Sequence, residues 1–158
     1  MTKEVLIMAK AHLTITGFSQ TYGFIPFEEG QIIYLKKEPE NPYDAEAIVA
    51  HLPYIGNVGY VANSPRSVIR GTMSAGRLYE RFNADAVAKV EFITGSQLIC
   101  RLLPAKKAKK FLEMYDSFEA ELRELDLKMS EEDGSPLMVH LFDRSKSSTI
   151  GITPLWEK

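Results

Sequence analysis

A chain of 158 residues, 45% hydrophobic and 25% charged, has the make-up of one globular domain able to bury a core, which excludes a disordered or fibrous protein. The single cysteine, Cys100, excludes an intramolecular disulfide framework and a multi-thiolate zinc site, and no stretch is long and apolar enough for a signal-peptide core or a membrane span, so the expected location is cytoplasmic, without membrane contact. The net charge is −2, and residues 1–104 carry ten basic and ten acidic side chains, which excludes a long nucleic-acid footprint because each backbone phosphate calls for its own lysine or arginine.

In chain order, His12–Phe18 alternates apolar and polar residues with β-branched enrichment and reads as a half-buried strand. Gly23, Pro26 and Gly30 punctuate a loop, and Gln31–Lys37 is a second strand. Two prolines between Glu38 and Asp44 forbid a helix or a central strand there, so this segment is an ordered loop. Ala47–Leu52 and Asn57–Val61 form a third and fourth strand, joined as a hairpin across Pro53 and Gly56. Ser64-Pro65 predicts a helix start, with serine as N-cap and proline at the first helical position, although Gly71 and Gly76 argue against one continuous helix to Phe82. Ala84–Thr94 and Gln97–Leu103 alternate again around a Gly95-Ser96 turn, and this alternation sends Phe92 inward with Ala86, Ala88 and Val90.

Six strands and a helical insert within residues 1–104 predict a mainly β fold, a small six-stranded barrel of the OB or SH3-like kind. After Pro104 the spacing of Phe111, Tyr115, Phe118, Leu122 and Leu125 makes one apolar stripe on a helix. Residues 105–158 are therefore expected as a C-terminal amphipathic helix and tail packed on the barrel in a single domain. Glu131–Pro136 reads as a solvated turn, Leu137–Phe142 as an edge strand, and Trp156 closes the tail. Lys106, Lys107, Lys109 and Lys110 open the helix where its dipole favours acids, a cost of a few tenths of a kcal/mol each that an exposed surface tolerates.

No catalytic constellation emerges. His12, His51 and His140 stand singly in strands without metal-ligand or triad spacing, and Cys100 lies inside an apolar alternation, as a core residue does. There is no phosphate loop ending in Lys-Ser or Lys-Thr and no Gly-x-Ser-x-Gly elbow. Glu38, Glu40, Asp44 and Glu46 crowd one loop, but its prolines stand where a calcium loop needs flexible backbone. The expectation is a binding module with no cofactor and no metal, rather than an enzyme.

The segment Asn41-Pro42-Tyr43-Asp44 fits a β-turn, with asparagine first and proline fixing the second φ, and Asp44 can cap a helical turn over Ala45–Ala47. A rigid turn of this kind presents an aromatic face beside a carboxylate, suited to stacking a planar base and accepting a hydrogen bond from a sugar hydroxyl. Gly17-Phe18, Gln31–Leu35, the string Glu38-Pro39-Glu40-Asn41-Pro42-Tyr43-Asp44-Ala45-Glu46-Ala47-Ile48, and Val58-Gly59-Tyr60-Val61 together resemble the HIRAN domain over roughly Leu13–Leu103. The resemblance implies an OB-like barrel that grips the free 3′ end of single-stranded DNA. Tyr43 would stack on the terminal nucleotide, Asp44 would accept from the 3′-hydroxyl, and Asn41 would shape the loop.

Departures fall where the family meets phosphate. An Arg-Tyr pair that follows the first strand's glycine in well-studied eukaryotic members is replaced by Phe18, Ser19 and Gln20, with Tyr22 only later. A position often histidine is Tyr60, and a phosphate-contacting lysine corresponds to Asn63. Arg66 and Arg70, four apart on the expected short helix, are the candidates to replace these contacts, the plainer reading being solvated surface. Phe92 lies near an aromatic position that lines the family pocket.

The resulting expectation is a DNA-end or single-strand binding module that serves DNA repair or processing alongside a helicase or nuclease partner. Two rivals stand beside it. One is a protein-interaction adaptor that has lost DNA binding and uses the helical stripe or the tail around Trp156. The other is a metal-dependent nuclease using Glu38, Glu40 and Asp44.

Overall fold

The structure, a computed structural model, describes residues 11–17 and 27–133, without the side chains of residues 129, 132 and 133. Six strands, β1 (His12–Thr16), β2 (Ile32–Lys37), β3 (Ile48–Leu52), β4 (Gly56–Val61), β5 (Asp85–Ile93) and β6 (Leu98–Leu102), pair antiparallel in the order β1-β4-β3-β2-β5-β6 and close back onto β1. Among the described residues, closure leaves no unpaired sheet edge. The expected barrel is thus present, with every strand within one or two residues of its predicted bounds.

Period-2 alternation sorts the strands into two faces. Leu13, Ile15, Ile33, Leu35, Ile48, Ala50, Leu52, Val58, Ala86, Ala88, Val90, Leu98 and Cys100 point inward and form the barrel core. Burial pushes the Cys100 thiol far above its usual range, so it packs as a small apolar side chain and not as a nucleophile. On the outer face, Ile32, Tyr34 and Val87 join Leu103 in a second apolar cluster. A long helix, Ala105–Asp133, covers that cluster with Ala108, Phe111, Leu112 and Tyr115.

The register defines the helix's course. Tyr34 pairs with both Val87 and His51. Its hydroxyl donates to the Phe111 carbonyl at 3.2 Å, and the Tyr115 hydroxyl lies 3.0 Å from His51 Nδ1. Further along, the Tyr54 hydroxyl in the β3–β4 turn donates to Asp126 Oδ2 at 2.6 Å. The helix therefore crosses β5, β2 and β3 in turn. Its stripe faces the barrel, with Phe118 and Leu122 buried, while Leu127, off the stripe, is exposed.

Two sequence expectations are overturned. The helix expected from Ser64-Pro65 stops after one turn: Arg66 N–H donates to Ser64 Oγ and Val68 N–H to the Ser64 carbonyl, but Ile69 N–H donates to Thr14 Oγ1. That amide would have bonded Pro65 in a helix. Thr14 and Thr72 hydroxyls then meet at 2.8 Å, strapping residues 69–73 over β1. A four-residue helix forms later, α1 (Ala75–Leu78), with Ser74 Oγ accepting from Arg77 N–H; the long helix is α2. The turn expected to begin at Glu131 is also corrected, since α2 continues through Asp133. The predicted strand Leu137–Phe142, His140, Tyr22 and Trp156 lie outside the described residues.

Candidate functional site

The loop between β2 and β3 is ordered by its own side chains. Asn41 Oδ1 accepts from Tyr43 N–H at 2.9 Å and from Asp44 N–H at 3.1 Å, while its Nδ2 donates to Glu38 Oε1 at 3.2 Å. Asp44 Oδ1 accepts from Glu46 N–H at 2.9 Å, and Ala47 N–H donates to the Asp44 carbonyl, the capped turn expected there. Backbone bonds from Asn41 N–H to the Glu38 carbonyl and from Glu38 N–H to the Ala47 carbonyl close the loop's base.

Strand β4, the residue just past it and the α1 region hold this loop from outside. The Tyr60 hydroxyl, on β4, donates to Glu38 Oε1 at 2.9 Å; burial first and this bond second raise its pKa, keeping it a neutral donor. Asn63, just past β4, donates from Nδ2 to Asp44 Oδ2 at 2.9 Å and accepts at Oδ1 from Gly76 N–H at 2.9 Å. The α1 backbone comes close enough that a Cβ on Gly76 would stand 2.9 Å from the Glu46 carboxylate oxygens. Asn41, Asp44, Tyr60 and Asn63, four of the candidates named from sequence, thus share one hydrogen-bonded assembly.

Tyr43 is the exception inside it. Its backbone is tied down, yet its side chain is 96% exposed. A large ring held out in water on a fixed turn is a flat, dehydratable face at low conformational cost.

The remaining candidates are placed differently. Arg66 and Arg70 are exposed but occupy separate turns rather than one helical face, which corrects their expected i,i+4 relation. Of the two readings of Phe92, core residue or pocket-lining aromatic, the core one is removed: a bulge between Val90 and Phe92 against β6 adds one residue, so the alternation inverts and Phe92 emerges 58% exposed. Its strand, β5, stands three places from β4 in the six-stranded ring, on the opposite side of the barrel.

Sequence reading missed the structural use of Glu38 and Gly76. In the sequence Glu38 reads as a solvated loop acid or, less readily, a metal ligand, whereas its Oε1 serves Asn41 and Tyr60. Among the described residues, no three His, Cys, Asp or Glu side chains are grouped to hold a metal ion, and no helix is long and apolar enough to cross a membrane.

The barrel and its braced loop define a small closed antiparallel β-barrel that presents one exposed aromatic ring beside a fixed carboxylate. Among solved structures, the chain is similar to the crystal structure of the HIRAN domain of human HLTF, at 18% identity over 64% of this chain and 80% of that one, with a TM-score of 0.42. No protein-family model matches the chain, and no curated protein matches it.

Proposed function

We propose that this protein is a non-catalytic binding module for the 3′-hydroxyl end of single-stranded DNA, serving repair or processing partners such as a helicase or nuclease. The observation that carries the reading is Tyr43: a 96% exposed ring on a turn whose backbone is fixed by Asn41. The resemblance of the Glu38–Ile48 string to the HIRAN domain supports the choice of ligand. Tyr43 stacks on the terminal base, and Asp44 accepts from the 3′-hydroxyl. A terminal phosphate is rejected because it brings like charge to Asp44, with Glu38 and Glu46 near by. One terminal nucleotide needs few cations, in keeping with a chain of net charge −2.

Fluorescence anisotropy with oligonucleotides that differ only in a 3′-hydroxyl or 3′-phosphate tests this reading. Tighter binding of the hydroxyl end, weakened by Tyr43→Ala and by Asp44→Ala, is expected; equal affinity for both ends would sink it. The adaptor reading loses its helical surface, because the Phe111–Leu125 stripe is turned to the barrel.

A further inference from the structure

Asn63 occupies a position where a ligand contact would be expected, yet both ends of its amide are already engaged within the protein. We propose that Asn63 is a positioning residue for Asp44, holding the carboxylate in place with a neutral donor so that its negative charge stays available to discriminate the ligand's end. This inference rests on the reading of the loop given above.

The amide can face only one way. Turned over, it would set its carbonyl against Asp44 Oδ2 and its NH2 against Gly76 N–H, losing both bonds at once. In the observed orientation it links Asp44 to the backbone of α1, an element on the far side of β4 in the chain. Asp44 Oδ1 is meanwhile held by Glu46 N–H, so one oxygen carries a side-chain donor and the other a backbone donor. A carboxylate offers about four lone-pair positions, and two protein donors leave room for a ligand hydroxyl.

The neutrality of the donor matters as much as its geometry. A lysine or arginine in this place would satisfy the same oxygen but form an ion pair, cancelling much of the charge that disfavours a terminal phosphate. An amide fixes the carboxylate without that loss. Asn63 therefore acts on selectivity between ends, while the stacking surface of Tyr43 is independent of it.

The test uses the full chain and 5′-fluorescein-labelled single-stranded oligonucleotides ending in a 3′-hydroxyl or a 3′-phosphate. Asn63→Ala, and Asn63→Leu should the alanine variant not fold, are expected to reduce the hydroxyl-to-phosphate affinity ratio at least fivefold. Affinity for the phosphate-ended strand should change less than twofold. Tyr54→Phe also deletes one side-chain hydrogen bond, but at the opposite end of β3, and should leave the ratio as in the wild type. A wild-type preference that persists in both Asn63 variants, or an equal weakening of both ends, overturns the positioning role alone. A wild-type protein with no preference overturns the proposed ligand and this role together.

Discussion

Asn41 and Tyr43, two residues apart, divide the work of the loop. Asn41 gathers two backbone N–H groups and Glu38, whereas the Tyr43 ring touches almost nothing but water. Their substitutions should therefore separate. Tyr43→Ala is expected to leave the melting temperature within a degree or so of wild type while weakening DNA-end binding, since loss of a stacked base is worth about 1 to 3 kcal/mol. Asn41→Ala is expected to lower stability by about 1 kcal/mol, the usual loss when an Asx acceptor is removed from backbone donors, and to weaken binding by releasing the turn. Thermal unfolding and anisotropy on the same preparations check both; a Tyr43→Ala protein that melts several degrees lower would contradict the exposed placement of the ring. The Asn-Pro pair made the rigid turn legible in sequence. Its brace was not legible, because Asn63 and Gly76 are joined to it only by side-chain and backbone bonds that the fold brings together, and such bonds leave no spacing or period to read.

Elements with a period were read well and those without one were not. Alternation placed six strands, and the 3-4 spacing placed the docked stripe of α2, because each pattern repeats one face against one core. The bulge in β5 inserts a residue without any compositional mark, so it inverted the expected side for Phe92. The lost helix at Ser64 failed for a different reason: Thr14 captures the Ile69 amide across 55 residues. The α2–barrel seam yields a pH prediction. His51 is pressed between Tyr34 and Tyr115, with ring centroids 5.9 Å and 5.3 Å away. Its pKa is lowered mainly by burial and also by Lys36, against opposing pulls from Asp85 and Glu119. The unfolded chain then binds the extra proton at a pH where the folded chain does not. Stability from the neutral ring is present above about 6.5 and declines as pH falls through the folded value. Urea unfolding between pH 7.5 and 5 should show a shallower decline in His51→Gln than in wild type. The partner hydroxyl resists alkali in turn, since burial pushes Tyr115 up to about 12. Phe118→Ala, which empties a buried position of the same seam, should cost about 3 kcal/mol in the same measurement.

At the scale of the whole molecule, charge and shape limit how a strand can lie. The barrel region is electrically neutral overall, and the braced loop carries Glu38, Glu40, Asp44 and Glu46, so the field around Tyr43 repels a polyanion more than it draws one. The exposed lysines Lys106, Lys107, Lys109 and Lys110 start where the chain has left β6 beside Val87 and Leu103, and Lys109 already lies 3.9 Å from Glu113. If affinity comes from stacking and one accepted hydroxyl, few counterions are released on binding. For a single strand the slope of log affinity against log salt is about −0.7 per phosphate neutralised, so contact with one or two phosphates gives a slope between roughly −0.7 and −1.4. A titration series from 50 to 300 mM salt with a hydroxyl-ended oligonucleotide should fall in that range, and replacing Lys106, Lys107 and Lys110 together by glutamine should leave the slope unchanged. A slope of about −3 or steeper that flattens in the triple variant would mean that the strand runs along the helix start, and the ligand would then be a length of backbone rather than an end.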